Sequence, residues 1–296
     1  MKFLSCTVTE REDNKTVAAI LKDRFAVSES YLRRLKRRPG ALLKNGAPVY
    51  TTALAHAEDT VAFDPADEGR LPIRPMAMPL SIVYEDEWLI VLNKPNGVPV
   101  HPSRDPNEPS VENALAAYLC GTDNAHPVSR LDKGTTGLLT VAKSGYVHAR
   151  MKTVQHEGGF LKTYLAIAEG EIEKERIEID APIGFSDGSS YVHTVRADGQ
   201  PAKSLCERVQ VRNGRTLVRL LPYTGRTHQL RIHMAHIGHP LTGDWLYGTR
   251  SELIARPALH AAALRFPHPI TGETIDLSAP LPEDMQRVME FPYGDQ

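Results

Sequence analysis

The sequence predicts an α+β protein, with a small α+β unit over residues 1–63, a linker over residues 64–79 and a large mixed or antiparallel sheet domain over residues 80–296. Strand-like apolar runs outnumber helix-like segments after residue 80, and short turns join many of them. The predicted linker holds four prolines and little hydrophobic periodicity. A chain of 296 residues with 41% hydrophobic content can bury cores of this size.

Residues 16–38 predict two short helices. An apolar stripe between Val17 and Phe25 indicates the first helix, and Ser28 is a suitable N-cap for the second. The second helix places Tyr31, Leu32 and Leu35 inward and a basic cluster outward: Arg33, Arg34, Lys36, Arg37 and Arg38. This helix therefore gives the first unit a basic edge.

A small sheet is predicted after these helices. Pro39-Gly40 ends the second helix. An Asn-Gly turn within residues 41–49 then joins two strands, and residues 60–63 supply a third.

In the larger domain, the sequence predicts strands and helices joined by turns. The predicted strands cover residues 81–84, 88–93, 138–142, 160–168, 177–179, 192–195, 204–211 and 216–221, and the predicted helices cover residues 111–119 and 146–156. A tight turn is expected at residues 94–97, where Lys94, Pro95 and Gly97, with His101 beyond them, shape a loop.

Charge and cysteine usage bound the class of protein. The chain has 35 basic and 36 acidic side chains and a net charge of -1, which does not exclude a local basic face. Its three cysteines lie far apart, as is typical of a reducing cytosol. Because neither a signal-peptide pattern nor an apolar run of membrane-spanning length is evident, we expect a cytoplasmic protein that does not enter a membrane.

The stretch over residues 127–143 organises the larger domain. Arg130 and Asp132 lie just before a turn-forming Gly-Thr-Thr-Gly segment, and an apolar run follows. A turn mounted on a buried strand can present a reactive side chain to a cleft. From these residues alone, the simpler interpretation is an aspartate that bonds its own turn amides.

Residues 129–139, Ser-Arg-Leu-Asp-Lys-Gly-Thr-Thr-Gly-Leu-Leu, resemble the signature of the RluA family of RNA pseudouridine synthases, H-R-L-D-x-x-T-S-G-L-L. Residues 92–102, 225–240 and 259–273 agree with the family pattern in the expected order, so the resemblance spans roughly residues 80 to 280. Ser129 replaces the usual His and Thr136 the usual Ser, which affects the hydrogen bonding beside the aspartate more than the chemistry.

The resemblance implies a role for each matching residue. Asp132 becomes the catalytic carboxylate, and Arg130 is placed to fill the space that a flipped base leaves. The Lys-Thr-Tyr segment ending at Tyr164 matches the family strand whose tyrosine lies against the target base. Arg231 would pair with Asp132 and keep it ionised and oriented.

The loop over residues 225–231 opens a predicted helix. Free amides and the guanidiniums of Arg226 and Arg231 suit phosphate binding there, and Arg226 and His228 are candidate RNA-binding residues. His228 also belongs to a set of four histidines, with His233, His236 and His239, whose spacing indicates a metal site only weakly.

The implied reaction breaks the N1–C1′ glycosidic bond of uridine, rotates the uracil and rejoins it through C5. Neither atoms nor electrons leave, so we expect no cofactor and no metal. The carboxylate acts as nucleophile or as base, and both roles stay open.

The first unit resembles an S-four-type RNA-binding domain, in which Arg33, Arg34 and Arg37 would contact RNA. This favours ribosomal RNA over transfer RNA as the substrate of an enzyme expected to be a monomer. One alternative is a catalytically silent RNA-binding or ribosome-assembly protein on the same fold. Another is a glycosidic-bond hydrolase, which generally needs two carboxylates.

Overall fold

The computed structural model describes residues 3–66, 73–120, 125–189 and 191–291. Residues 67–72 of the predicted linker therefore lie outside the described residues. Within the described ranges, none of the helices has the length and apolar character needed to cross a membrane.

The first unit is a small sheet with two helices. Within residues 3–66 its elements are β1 (Leu4–Thr7), β2 (Lys15–Thr16), α1 (Val17–Phe25), α2 (Glu29–Leu35), β3 (Leu42–Lys44), β4 (Ala47–Pro48), β5 (Leu54–Ala55) and β6 (Thr60–Phe63). Four strands form an antiparallel sheet in the order β1-β6-β3-β4, and β2 pairs with β5. The predicted helices, hairpin and third strand are confirmed, whereas β1 was not predicted from its short apolar start.

Local signals in the sequence explain where these helices begin. The Thr16 hydroxyl accepts a hydrogen bond from the Ala19 amide at 3.2 Å, and the Ser28 hydroxyl accepts one from the Tyr31 amide at 3.2 Å. The predicted Ser28 cap is therefore confirmed. With that start, α2 buries Tyr31, Leu32 and Leu35 and leaves its basic residues toward solvent.

The larger domain is built on a mixed sheet. Its described elements are β7 (Ile82–Glu85), β8 (Leu89–Lys94), α3 (Val111–Tyr118), β9 (His126–Pro127), β10 (Thr136–Ala142), α4 (Gly145–His156), β11 (Leu161–Glu169), β12 (Arg176–Asp180), β13 (Ile183–Phe185), β14 (His193–Val195), β15 (Lys203–Arg212), β16 (Arg215–Pro222), α5 (Gln229–His236), β17 (Leu259–Pro267), β18 (Thr274–Ser278) and α6 (Glu283–Glu290).

Ten strands of the larger domain form one sheet. The main path runs β12-β15-β16-β11-β17-β10-β8-β7, with β18 beside β17 and β9 beside β10. The described pairings are antiparallel except that between β10 and β17, which is parallel. The predicted α+β class and mixed sheet are confirmed, while β9, β13, β17, β18 and α6 were not predicted.

The strand after the central turn lies at the heart of this sheet. Every residue of β10 is buried. Gly137 on this strand has φ +107°, and a Cβ added there would lie 2.3 Å from the Ala261 carbonyl oxygen of β17. Only glycine permits this close approach, which fixes the start of β10 and thereby the turn before it.

The first unit packs against α4 of the larger domain through aromatic rings. The Tyr146 ring lies 5.7 Å from the Tyr31 ring and 5.2 Å from the Phe63 ring, between centroids. The Tyr146 hydroxyl also donates to the Phe25 carbonyl at 2.8 Å. One hydrophobic cluster thus runs through both units, and the division into separate domains stays a prediction.

Candidate active site

Asp132 lies in the turn between β9 and β10 and lines a cleft of about 640 Å³. Its side chain is 22% exposed. The Asp132 carbonyl accepts a hydrogen bond from the Thr135 amide at 3.0 Å, which closes the turn. The carboxylate is therefore held on a rigid turn and is open to a ligand.

A buried lysine ties this turn to the neighbouring loop. The Lys94 ammonium is 1% exposed and donates to the carbonyls of Pro95, Val98 and Lys133, at 2.9, 2.8 and 3.2 Å. Burial lowers the pKa of Lys94 to about 8, although the Asp132 charge opposes the shift. Lys94 thus shapes the loop that begins at Pro95, as predicted. It also fixes the backbone of Lys133, the residue that follows Asp132.

Arg231 lies beside Asp132, as the resemblance implied. Its Nη1 is 3.7 Å from the Asp132 carboxylate, but its Nε and Nη2 donate to both oxygens of Asp244 at 2.7 Å. Burial lowers the pKa of Arg231, and the hydrogen bonds and charge of Asp244 outweigh that effect and raise it overall. Asp244 is fully buried and is the closer partner, which the sequence did not predict.

His228 reaches Asp132 from the start of α5. Its Nε2 lies 3.9 Å from the Asp132 carboxylate, and its Nδ1 is hydrogen-bonded to the Tyr247 hydroxyl at 2.9 Å. The backbone there is left-handed, with φ 55°. Burial is the main cause that lowers the pKa of His228, with Asp132 opposing it, so the ring is neutral near pH 7.

Tyr164 forms part of the same cleft wall from β11 and is 8% exposed. Burial, and secondly the charge of Asp132, raise the pKa of Tyr164 well above its ordinary value. The phenol therefore keeps its proton near neutral pH and offers a donor and a flat ring to a ligand in the cleft.

Cationic side chains dominate the cleft. Among the described residues that line it, Asp132 is the one carboxylate, and the basic residues are Arg130, Lys152, Lys162, Arg226 and Arg231. Arg130 and Arg226 are exposed, and the Arg226 Nε donates to the Pro201 carbonyl at 3.0 Å. A chain with net charge -1 therefore presents a positive cleft, as an anionic polymer requires.

The basic cluster of α2 belongs to a different surface. Arg33, Arg34 and Arg37 are exposed and do not line the cleft. The Arg34 guanidinium lies 5.0 Å from the centre of the Tyr31 ring. Arg38, in contrast, pairs with buried Asp64, so it is not available to a ligand.

Two further histidines of the 228–239 segment, His233 and His239, bond to protein groups, whereas His236 is exposed. The buried His233 is 3.0 Å from both the Ser204 hydroxyl and the Ala181 carbonyl, and His239 is 2.9 Å from the Glu169 carbonyl. Within the part of the chain that the structure describes, no cluster of three or more His, Cys, Asp or Glu side chains could hold a metal ion.

Comparison with known proteins places this geometry in a family. The model of the RNA pseudouridylate synthase family matches residues 88–236, which include Asp132, Tyr164 and Arg231. The uncharacterized RNA pseudouridine synthase YjbO of Bacillus subtilis is 35% identical over 270 residues, covering 90% of this chain and 95% of the relative. The chain belongs to this family.

Further relatives agree with this membership. Ribosomal large subunit pseudouridine synthase D of Vibrio vulnificus is 36% identical over 256 residues, covering 81% of this chain and 75% of the relative. The solved structure of human RNA Pseudouridylate Synthase Domain Containing 1 is 27% identical and has a TM-score of 0.58, covering 70% of this chain and 86% of the human chain. As an RNA pseudouridine synthase, the protein is an isomerase that converts uridine to pseudouridine in RNA, so the RluA-family resemblance is confirmed.

Proposed function

We propose that this pseudouridine synthase acts on uridines of large-subunit ribosomal RNA, with Asp132 as its catalytic carboxylate. The observation that carries the assignment of Asp132 is its position as the one carboxylate among the described residues of a positive cleft, 3.7 Å from Arg231. The substrate is inferred from relatives named ribosomal large subunit pseudouridine synthase D.

The chemistry needs an ionised carboxylate beside C1′ and C2′ of the target sugar. Asp132 supplies it on a turn that Lys94 and the Gly137 contact keep rigid. Arg231 orients the carboxylate from one side, and its own position is fixed by Asp244. Both nucleophilic and basic roles of Asp132 are served by this arrangement.

The target base must leave its helix before it can enter the cleft. The Tyr164 ring is assigned to hold the detached uracil, with its protonated hydroxyl available for proton transfer. Exposed Arg130, two residues before Asp132, is assigned to the space that the base vacates. Arg226 and His228, which line the same cleft, are assigned to contacts with the RNA backbone.

Pseudouridine mapping tests this substrate assignment. We expect deletion of the gene to remove at least one pseudouridine from large-subunit ribosomal RNA and to leave the transfer RNA map unchanged, since the relatives' names point to the ribosome. Re-expression of the intact chain should restore the site. Loss of transfer RNA sites alone would refute the proposed substrate while leaving the isomerase activity in place.

We further propose that the first unit is an S-four-like domain whose α2 contacts RNA away from the cleft. Arg33, Arg34 and Arg37 carry this assignment because all three are exposed, the first two on α2 and Arg37 in the turn that follows it. The proposal includes a cytoplasmic location and a monomeric state.

Charge reversal of Arg33, Arg34 and Arg37 to Glu is expected to weaken RNA binding and to lower the slope of log K against log salt by up to about 3, because about 0.9 counterions are released per phosphate contact. The matched control reverses Arg250, Arg265 and Arg287, which are also exposed but lie outside the cleft and α2. Affinity titrations over a range of salt concentrations measure both. If the two triple variants behave alike, α2 makes no specific contact.

A further inference from the structure

Lys162 is a half-buried cation in the cleft wall. It lies on β11 two residues before Tyr164, and both side chains line the cleft. Two residues of a strand span about 6.6 Å, so the Lys162 ammonium can reach the backbone of a nucleotide whose base lies against Tyr164. Its Nζ is 5.7 Å from the centre of the Phe160 ring.

A second lysine, Lys152 of α4, is exposed and lines the same cleft. The Lys152 ammonium donates to the Val128 carbonyl at 3.0 Å and keeps further donors free. Burial, and secondly the charge of Lys152, lower the pKa of Lys162. Among the described residues, no carboxylate forms an ion pair with either ammonium. Two like charges thus line the same cleft, and neither has a carboxylate partner among the described residues.

Comparison with Lys94 shows that the Lys162 ammonium does not hold backbone segments together. The Lys94 ammonium is satisfied by three backbone carbonyls. For Lys162, in contrast, the described residues supply no hydrogen-bond acceptor. Burying a cation without a partner is costly, and a like charge beside it adds to that cost. An anion that contacts both ammoniums would remove both costs.

We propose that Lys162 and Lys152 together bind a backbone phosphate of the RNA strand next to the target nucleotide. A phosphodiester offers oxygens that accept from two ammoniums at once, and an RNA strand supplies one at each nucleotide. This site rests on the proposed function, because Tyr164 is taken to hold the target base. It places the strand along the cleft residues of β11 and α4.

The test measures binding of a fluorescein-labelled single-stranded oligouridylate to the full chain by anisotropy over a range of salt concentrations. Lys162→Met and Lys152→Met are each expected to weaken binding about tenfold and to lower the salt slope by about 0.7, the value for one phosphate of a single strand. Lys162→Arg should restore the slope, because it restores the charge. Lys174→Met is the control, since Lys174 is exposed and lies outside the cleft.

A second measurement covers the case in which Lys162→Met fails to fold. The Lys162 side chain of the unaltered protein is titrated by NMR with and without the oligouridylate. A bound phosphate favours the charged form, so the pKa of Lys162 should rise on binding. An unchanged pKa, a wild-type slope in folded Lys162→Met or Lys152→Met, or a slope that Lys162→Arg does not restore, would each overturn the site. None of these measurements needs turnover, so a failure of the proposed function would appear separately, in the pseudouridine map.

Discussion

Replacement of Asp132 by Asn is expected to reduce pseudouridine formation by at least about 10³-fold, because an amide can act neither as nucleophile nor as base toward the sugar. The fold and RNA binding should be retained. The Asp132 side chain is 22% exposed, and its neighbours Arg231 and His228 lie 3.7 and 3.9 Å away, so an isosteric amide fits the same space. Single-turnover assays on a ribosomal RNA transcript measure the rate, and thermal unfolding measures the fold.

The matched control is Asp276→Asn. Asp276 is exposed on β18, outside the cleft, and lies 3.9 Å from Arg265 at the surface. Its replacement should leave the rate unchanged. If Asp132→Asn kept more than about a tenth of the wild-type rate, a general acid or base elsewhere would have to carry the reaction, and the assignment of Asp132 would be wrong.

The fold and the centre of the site could be predicted because their signals are local. The Ser28 cap, the Asn-Gly turn at residues 45–46 and the buried run of β10 each depend on neighbours within a few positions. The resemblance then brought Asp132, Tyr164 and Arg231 together, and the structure places all three in one cleft.

The residues that position Asp132 and Arg231 could not be predicted. Each is distant from them in sequence, and its neighbouring residues carry no motif that marks it. Asp244 follows a Thr-Gly pair in an irregular segment and gives no sign of being buried. Its importance comes from the tertiary contact with Arg231. Likewise, Lys94 looks like a turn residue, and only the fold shows its ammonium between two loops.

The contact between the two units also could not be predicted from the sequence. Four prolines between residues 64 and 79 indicate a linker, which suggests two units that move separately. The aromatic cluster around Tyr146 instead packs the first unit on α4, the helix that also carries Lys152 into the cleft. The basic cluster of α2 is thereby held at a set position relative to Asp132, which suits recognition of a structured RNA by shape.

Asp244→Ala is expected to lower the free energy of unfolding by about 3–5 kcal/mol, the usual cost of removing one partner of a buried ion pair. Asp244 is fully buried, and the Arg231 side chain is 7% exposed. Without Asp244, the nearest carboxylate to the Arg231 guanidinium among the described residues is Asp132, at 3.7 Å. Two amides, those of Leu246 and Tyr247, also lose their acceptor.

A double variant separates stability from function at this pair. The double variant Arg231→Met with Asp244→Leu removes both charges of this buried pair. It should therefore recover part of the stability that Asp244→Ala loses, while pseudouridine formation stays low because Asp132 has lost its orienting cation. The exposed pair of Arg265 and Asp276 is the control, and Asp276→Ala should cost less than about 1 kcal/mol. Urea unfolding and single-turnover rates measure the two effects. If Asp244→Ala lowered the free energy of unfolding by less than about 1 kcal/mol, Arg231 would be held by other contacts. Full activity in the double variant would show that Asp132 needs no guanidinium beside it.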